Sequence, residues 1–353
     1  MTERARILVA MSGGVDSSLA AALLHEQGFE VLGVTLHLWD AEGGDKVGRC
    51  CAPEDRDDAR RTCELLGVPH YVLDEREAFR EHVVEPFVRT NLAGKTPIPC
   101  VACNQQVKLA RLWQIAQSFG AERVATGHYA RLRVNADGSA DLLRGRDLSK
   151  DQSYFLFGVP QEILRRMVFP LGELHKPEAR EAARRLGLPN WAKPDSQELC
   201  FVPDGNVRGF VERHGGRSEA GEIVDEAGAV LGRHPGIAGF TVGQRRGLNL
   251  PGSEPRYVLR VLHDTQQVVV GTADRLAAHE LYAADVSWTS ARPDAPFAAE
   301  VRIRSRHTPA AARIVPSATG FTAHFEAPQS AVAPGQAAVV YVGERVVGGG
   351  YIS

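Results

Sequence analysis

The stretch Ser12-Gly13-Gly14-Val15-Asp16-Ser17-Ser18 decides the fold of this 353-residue chain. It follows a short apolar run at 7–10 and precedes an amphipathic run at 17–27, so it joins a buried strand to a helix. Glycines let the backbone approach an anion closely, and the N–H groups that begin a helix stabilise phosphate charge. The lysine of the G-x-x-x-x-G-K-[ST] loop is missing. The sequence therefore predicts a phosphate loop of another kind, with a serine-capped glycine turn as the alternative.

Apolar strands and amphipathic helices alternate around this loop through the first half of the chain. Strands are predicted at 7–10, 31–38, 71–73 and 123–126, and helices at 17–27, 55–66, 78–92, 104–119 and 177–186. This alternation predicts an α/β fold with a doubly wound parallel sheet, whose ligand lies at the carboxyl ends of the strands near a topological switch point. A hairpin of 130–134 and 141–143 is predicted around the Asp137-Gly138 turn.

The second half of the chain has a different pattern. From about residue 204 glycines multiply, and runs at 258–262 and 267–270 predict short strands joined by turns. Runs at 301–303, 321–325 and 337–342 predict a small antiparallel β-barrel, with a sandwich as the alternative. We therefore predict a catalytic domain at 1–203, a small central module at 204–277 and a C-terminal β-barrel at 278–353.

Composition and charge limit the class of protein. Apolar residues make up 44% and charged residues 24%, which is typical of globular domains. The net charge of −2 excludes a global attraction to nucleic acid, so any such binding needs local basic clusters. One is Arg302, Arg304 and Arg306, whose spacing predicts a single strand face. Six cysteines fit a reducing compartment, and no stretch approaches the roughly 18 apolar residues of a membrane span, so we expect a cytoplasmic protein without a membrane partner.

Two separated segments carry cysteines that are candidates for chemistry. The first is Thr96-Pro97-Ile98-Pro99-Cys100-Val101-Ala102-Cys103-Asn104, where a predicted helix start would stabilise a thiolate on Cys103 and make it a nucleophile. A chance pair of buried thiols and half of a zinc site are the alternatives, although no second C-x-x-C or H-x₃-H follows. The second is Lys193-Pro194-Asp195-Ser196-Gln197-Glu198-Leu199-Cys200-Phe201. A lone cysteine such as Cys200 is, by itself, more often structural.

The order of five motifs carries a family resemblance. They are S-G-G-V-D-S-S at 12–18, C-N at 103–104, T-G-H-Y at 126–129, K-D-Q-S-Y at 150–154 and C-F at 200–201. The first resembles the PP-loop of the ATP pyrophosphatase superfamily, of adenine nucleotide alpha hydrolase-like fold, whose members cleave ATP between the α- and β-phosphates. The ordered set, with further matches at 240–248, 302–304 and 334–337, resembles the bacterial tRNA-specific 2-thiouridylase family over nearly the whole chain.

The resemblance implies a sulfurtransferase that adenylates the wobble uridine of tRNA, using ATP and Mg²⁺, and converts it to 2-thiouridine. It implies Cys103 as the nucleophile, Cys200 as the persulfide carrier, a disulfide between the two, and a tRNA-binding role for the central module. The implied ATP-site residues are Ala10, Met11, Ser12, Gly13, Gly14, Val15, Asp16, Ser17, Leu36 and Gly127. The implied target-base contacts are Ile98, Pro99 and Cys100, and the implied tRNA contacts are His128, Lys150, Asp151, Gln152, Arg304, Ser305 and Gln336.

The resemblance also implies partners and leaves alternatives open. It implies tRNAs for Lys, Glu and Gln, and a cysteine desulfurase or sulfur-relay protein as sulfur donor. Some members have asparagine and aspartate where this chain has Ile98 and Cys100. Cys100, Cys103 and Cys200 could instead form a three-thiolate site, which suits an iron–sulfur cluster. A PP-loop synthetase or amidotransferase for a small molecule, and a non-catalytic ATP-binding tRNA adaptor, are the alternative functions.

Overall fold

A computed structural model of the chain describes residues 4–40, 53–195, 199–216 and 218–353. The strands are β1 (Arg6–Ala10), β2 (Glu30–His37), β3 (His70–Asp74), β4 (Arg123–Ala125), β5 (Ala130–Val134), β6 (Ala140–Arg144), β7 (Met167–Val168), β8 (Gly221–Val224), β9 (Val230–His234), β10 (Tyr257–Leu262), β11 (Gln267–Gly271), β12 (Ala277–Trp288), β13 (Phe297–Arg302), β14 (Ala310–Pro316), β15 (Gly320–Ser330), β16 (Ala337–Val342) and β17 (Arg345–Ile352). The α-helices are α1 (Val15–Glu26), α2 (Pro53–Leu66), α3 (Arg76–Phe79), α4 (Glu85–Leu92), α5 (Pro99–Ala102), α6 (Leu109–Ser118), α7 (Gln161–Leu164), α8 (Lys176–Arg185) and α9 (Val207–Gly215). Single π-helical turns span Arg80–Val84 and Cys103–Lys108.

The chain divides into two compact units. The first comprises Met1–His82, Cys100–Gly205 and Glu344–Val346, and the second comprises Val83–Pro99, Asn206–Gly343 and Val347–Ser353. In the described part of the chain no helix is both long and apolar enough to cross a membrane.

A five-stranded parallel sheet, in the order β3-β2-β1-β4-β7, forms the centre of the first unit. Ile7, Leu8 and Val9 of β1 are fully buried, as expected for a strand with neighbours on both sides. The order reverses at β1, which pairs with β2 on one side and with β4 on the other. This arrangement confirms the predicted doubly wound α/β fold and places its switch point between the ends of β1 and β4.

The second unit contains two sheets. The smaller has the order β10-β11-β8-β9. In the larger sheet, the strands β12-β15-β14-β13-β16-β17 close into a barrel through pairing of β12 with β17. Val301, Ile314, Phe321 and Val340 are fully buried inside it. This closed sheet confirms the predicted C-terminal barrel, and closure leaves it without an open edge.

Two predictions of local structure were wrong. The helix predicted at 104–119 begins at Pro99 instead, because proline lacks an N–H and its fixed φ suits the first helical position. Arg302, Arg304 and Arg306 do not share a strand face, because β13 ends at Arg302 and the following residues turn. In that turn the backbone N–H of His307 donates to the carbonyl of Arg304 at 3.0 Å.

Candidate active site

The phosphate loop, residues 12–18, leaves the carboxyl end of β1 and enters α1. Gly13 has a φ of 74°, and a Cβ atom there would lie 2.0 Å from the carbonyl oxygen of Asp55. Gly14 is the N-cap of α1, and no side chain in the described structure caps this helix start. The first N–H groups of α1 are therefore free of a capping side chain and suit phosphate oxygens.

The switch point brings a second loop against the phosphate loop. A Cβ atom at Gly127, which follows β4, would lie 2.7 Å from the carbonyl carbon of Asp16 and from the nitrogen of Ser17. Only glycine fits such a close approach of two backbones. Leu36, by contrast, is buried in β2, the other neighbour of β1. The predicted ATP-site residues of 10–17 and Gly127 thus lie together.

Serine hydroxyls shape this loop from inside. Ser17 Oγ accepts from the backbone N–H of Ser12 at 3.1 Å and donates to the carbonyl of Gly14 at 3.0 Å. Ser18 Oγ is fully buried and accepts from Asn190 Nδ2 at 2.9 Å. The side chain of Ser18 therefore anchors α1 and does not face a ligand.

A buried lysine neutralises the carboxylate of the phosphate loop. Lys176 Nζ lies 2.7 Å from both carboxylate oxygens of Asp16, and Tyr129 Oη donates to the same carboxylate at 3.0 Å. Lys176 is only 7% exposed. Burial and the negative charge of Asp16 raise the pKa of Tyr129, so the phenol stays protonated and keeps donating.

Lys176 continues into a second ion cluster. Its Nζ lies 3.0 Å from Asp195, which also accepts from Lys150 Nζ at 2.8 Å and from Arg180 Nη2 at 2.8 Å. Burial opposes the ionisation of Asp195, but hydrogen bonds from Lys150 and Lys176 outweigh it and lower its pKa to about 2. Asp195 is therefore a carboxylate at physiological pH, with three cations around it.

A further lysine ties the phosphate loop to α2. Lys193 Nζ bonds to Asp55, to Asp58 at 2.6 Å, and to the carbonyl of Gly13 at 3.3 Å. Burial opposes the charge on Lys193, but its carboxylate partners raise its pKa above the ordinary value. Asn190 Nδ2 donates to the same Gly13 carbonyl at 2.9 Å.

Sequence reasoning missed the roles of these residues. Lys193 and Asp195 stood in the quoted Cys200 segment without a function, and Lys176 and Asn190 were not singled out. The charged residues in the Cys200 segment were the available signal. A charge that becomes buried needs a partner, so charges close to a candidate site indicate ion pairs there.

Two of the three side chains in the segment 150–152 bond to backbone groups of the first unit. Asp151 is buried and accepts from the backbone N–H groups of Gly145 at 3.0 Å and Ser153 at 3.1 Å. Gln152 Oε1 accepts from the backbone N–H of Tyr129 at 3.0 Å. Lys150 is half-exposed, with 36% of its side chain accessible.

His128 is half-buried between polar and aromatic groups. Its Nδ1 lies 2.7 Å from Thr126 Oγ1, and its ring meets Phe169 edge-on at 6.1 Å. Burial, followed by the positive charge of Lys108, lowers the pKa of His128 to about 3. The imidazole is therefore neutral at physiological pH and suits a hydrogen bond or a ring contact better than an ion pair with phosphate.

The two thiols of the first cysteine segment differ in exposure. Cys100 lies in the first turn of the helix and is exposed, whereas Cys103 begins the following π-helical turn and is 5% exposed. The placement of Cys103 at the helix N-terminus was therefore wrong, since the helix starts four residues earlier. A π-turn inserts one residue and re-aims the side chains around it, and such turns are frequent at functional sites.

Cys200 is partly exposed in a turn, and its neighbour anchors it. Phe201 is buried and packs edge-on against Phe79 with ring centroids 5.6 Å apart. Within the described ranges no three His, Cys, Asp or Glu side chains are arranged to hold a metal ion. Cys100, Cys103 and Cys200 thus do not form a three-thiolate site in this structure.

In the second unit, the residues preceding the cysteines are held by the barrel. The backbone N–H of Thr96 donates to the carbonyl of Pro334 at 2.8 Å. Gln336 Nε2 donates to the carbonyls of Thr96 at 3.2 Å and Pro97 at 3.4 Å. Ile98 is buried. Two residues separated by 240 positions, Gln336 and Thr96, are therefore brought together.

The other predicted contacts of this unit lie on the turn after β13. Arg304 is exposed and donates to the carbonyl of Ser330 at 3.1 Å, while the carbonyl of Ser305 accepts from Arg302. Arg302 itself is buried. Only Arg304 of these residues presents an exposed cation that is also fixed by the fold.

Family models and curated relatives match almost the whole chain. Three models cover it in order: the tRNA methyl transferase HUP domain at residues 5–204, the tRNA methyl transferase PRC-barrel domain at 208–272 and the aminomethyltransferase beta-barrel domain at 278–352. The tRNA-specific 2-thiouridylase MnmA of Sorangium cellulosum is 50% identical over 358 residues, which covers 99% of this chain and 92% of the relative.

Two further relatives are similar over their full lengths. The tRNA-specific 2-thiouridylase MnmA of Solibacter usitatus is 48% identical, with 98% of each chain covered. That of Geobacter metallireducens is 47% identical, with 100% of this chain and 98% of the relative covered. With its phosphate loop at the switch point and its closed C-terminal barrel, this chain belongs to the tRNA-specific 2-thiouridylase family.

Proposed function

We propose that this chain is a tRNA-uridine 2-sulfurtransferase, which adenylates the wobble uridine of tRNA with ATP and then replaces its C2 oxygen with sulfur. The observation that carries the proposal is the close approach of the loop after β4 to the phosphate loop at the switch point, where a side chain at Gly127 would meet the backbone of Asp16 and Ser17. Full-length relatives of the same family are named for 2-thiolation of tRNA.

ATP fits the phosphate loop by charge and shape. The uncapped start of α1 supplies N–H donors, and Lys176 already neutralises Asp16. Asp16 carries the type of oxygen ligand that Mg²⁺ prefers, and Mg²⁺, when bound, neutralises charge on the phosphates. Fixed donors of this kind stabilise charge that develops at the α-phosphate.

The first step makes the C2 oxygen of uridine a leaving group. That oxygen attacks the α-phosphorus, the bond to the β-phosphate oxygen breaks, and pyrophosphate leaves with its electron pair. The phosphate loop holds the pyrophosphate end. The adenylated base then carries AMP, which departs far more readily than an oxide.

The second step transfers sulfur to the base and oxidises the two cysteines to a disulfide. The terminal sulfur of a persulfide on Cys200 attacks C2, and AMP leaves. The thiolate of Cys103 then attacks the Cys200 sulfur, which breaks the S–S bond and leaves sulfur on the base as a thiocarbonyl. The product is 2-thiouridine and a Cys103–Cys200 disulfide, which a cellular dithiol or thiol reductant resets.

Ile98, Pro99 and Cys100 are proposed to lie against the target base. Cys100 is the exposed residue of the three, so it is the one best able to touch a base from its side chain. The further proposed tRNA contacts are His128, Lys150, Asp151, Gln152, Arg304, Ser305 and Gln336. Lys150 and Arg304 supply exposed or half-exposed cations, the groups that grip phosphates.

The biological setting follows from this chemistry. Substrates are proposed to be the tRNAs for Lys, Glu and Gln, with a cysteine desulfurase or a sulfur-relay protein charging Cys200 in the cytoplasm. The catalytic domain is proposed at 1–203, the tRNA-binding central module at 204–277 and the barrel at 278–353.

Two measurements test the proposal. Purified protein mixed with ATP and unmodified tRNA should release pyrophosphate, and nucleoside mass spectrometry of tRNA from cells lacking the gene should show no wobble 2-thiouridine. Unchanged 2-thiouridine in those cells would contradict the proposal.

Cys200→Ser should keep pyrophosphate release and lose thiolation, whereas full thiolation by this variant would remove the persulfide step. Bound iron and broad visible absorption in an anaerobic preparation would instead favour the cluster mechanism.

A further inference from the structure

Asp195 stands between two predicted substrate sites without belonging to either. On one side, its Oδ2 accepts from Lys150 Nζ at 2.8 Å. On the other, its Oδ1 lies 3.0 Å from Lys176 Nζ, which bonds to Asp16 of the phosphate loop at 2.7 Å. Lys150, Asp195, Lys176 and Asp16 therefore form a line of alternating charges from the segment 150–152 to the phosphate loop.

The carboxylate of Asp195 resembles a phosphate in the way it holds Lys150. Both are oxyanions that accept a hydrogen bond from an ammonium group. Lys150 is half-exposed and Asp195 retains 22% of its side-chain exposure, so an RNA phosphate can compete for the lysine from solvent. Two other cations, Lys176 and Arg180, already bond to Asp195, and each weakens its hold on Lys150.

We propose that Asp195 is a positioning residue that occupies Lys150 until a tRNA phosphate displaces it, and that the shared partner Lys176 links this exchange to Asp16 of the phosphate loop. The inference rests on the proposed function, in which Lys150 contacts tRNA. It makes Asp195 a competitor of the RNA, so removing its charge should strengthen tRNA binding. A residue that only maintains the fold would weaken binding when replaced.

The test is the dissociation constant of unmodified tRNA at fixed salt, measured without ATP. Asp195→Asn keeps the shape and removes the competing charge, and we expect affinity to rise by about fivefold, the lower end of typical coupling between sites. The control is Glu181→Gln, which lies on the same helix as Arg180. It also removes one negative charge, but Glu181 pairs with the exposed Arg184. It should change the affinity by less than about twofold, since only general electrostatics act there.

A double-mutant cycle assigns the effect to Lys150. Lys150→Gln should weaken tRNA binding, and in that background Asp195→Asn should have no further effect. Arg180→Gln provides a second test if Asp195→Asn folds poorly, because the stronger remaining hold of Asp195 on Lys150 should weaken tRNA binding, again only when Lys150 is present. Thermal unfolding of each full-length variant reports on its fold.

The outcomes separate the inference from the proposed function. If Lys150→Gln leaves tRNA affinity unchanged, Lys150 is not a tRNA contact and the inference is overturned, whereas the sulfurtransferase proposal is overturned only if cells lacking the gene keep wobble 2-thiouridine. If Lys150→Gln weakens binding while Asp195→Asn gives no gain, or gives the same gain as Glu181→Gln, the inference alone is overturned. A gain from Asp195→Asn that persists in the Lys150→Gln background also overturns it.

Discussion

The phosphate loop is proposed to hold the nucleotide, and the segment 96–98 leads into the proposed base contacts at 98–100, yet different forces hold these two regions in place. Buried charges surround the loop: Lys176 bonds to Asp16, and Lys193 bonds to Asp55 and to the Gly13 carbonyl. Neutral hydrogen bonds hold the segment, from Thr96 to Pro334 and from Gln336 to Thr96.

The difference reflects what each region has to bind. A polyphosphate requires counter-charges that are in place before it arrives, because reorienting dipoles during the reaction would cost free energy. A neutral base requires a surface of fixed shape, which uncharged backbone contacts provide. We therefore expect changes near the loop to weaken nucleotide binding, and changes near the segment to weaken tRNA binding without affecting nucleotide binding.

Gly13→Ala should have the largest effect. Its Cβ would lie 2.0 Å from the Asp55 carbonyl, which is backbone and cannot turn aside, so the loop has to move. A displacement of about 1 Å can reduce a rate about 100-fold, and we expect such a loss of tRNA-dependent pyrophosphate release. The control is Gly28→Ala, which also has a positive φ of 87° but meets nothing within 4 Å. It should lose only about 1–2 kcal/mol of stability; equal activity loss in both variants would contradict a specific role for Gly13.

Lys176→Met should have the next largest effect, since it leaves two carboxylates without their buried cation. We expect the free energy of unfolding in urea to fall by about 3 kcal/mol. The dissociation constant of a non-hydrolysable ATP analogue should rise about tenfold, because Asp16 would then repel the phosphates. Arg184→Met on the same helix loses only the exposed pair with Glu181 and should change stability by less than about 1 kcal/mol. An unchanged analogue affinity in Lys176→Met would show that Asp16 lies outside the nucleotide site.

Gln336→Ala should have a smaller and more selective effect. It removes two hydrogen bonds to the backbone of Thr96 and Pro97, each worth about 1 kcal/mol. We expect KM for tRNA to rise about fivefold, with affinity for the ATP analogue unchanged. Gln161→Ala is the matched control, because Gln161 also bonds to the backbone, at the N–H and the carbonyl of Ala140 in the first unit. If Gln161→Ala raises KM for tRNA equally, the contrast between the regions disappears.

The smallest effect is expected from pH, through His128. Its folded pKa of about 3 lies below the ordinary 6.5, so the unfolded chain takes up a proton first as the pH falls. Its contribution to stability is therefore complete above about pH 6.5 and decreases from there toward pH 3. His128→Gln should make the free energy of unfolding less dependent on pH across this window, as measured by urea denaturation. Parallel pH profiles for the two proteins would mean that His128 is not held neutral by the fold.

The sequence predicted the fold well and the site unevenly. The doubly wound parallel sheet and the barrel were predicted from local patterns, since alternating strands and helices admit few topologies. The helix start was predicted at Asn104 and lies at Pro99. Proline cannot continue a helix but can occupy its first position, and the prediction did not use this property. The shared face of Arg302, Arg304 and Arg306 was predicted wrongly, because arginines at a spacing of two can lie in a strand or in a turn.

By itself the sequence determined the phosphate loop, the family and the two candidate cysteines, because each depends on residues that are adjacent or in a fixed order. The tertiary structure decided which distant polar groups meet. Lys176 and Asp16 are 160 positions apart, and Asn190 and Gly13 are 177 apart. Local sequence does not indicate such contacts, because a polar group requires a protein partner only once the fold has buried it. The phosphate loop could therefore be recognised from its glycines, whereas the ions that hold it could not.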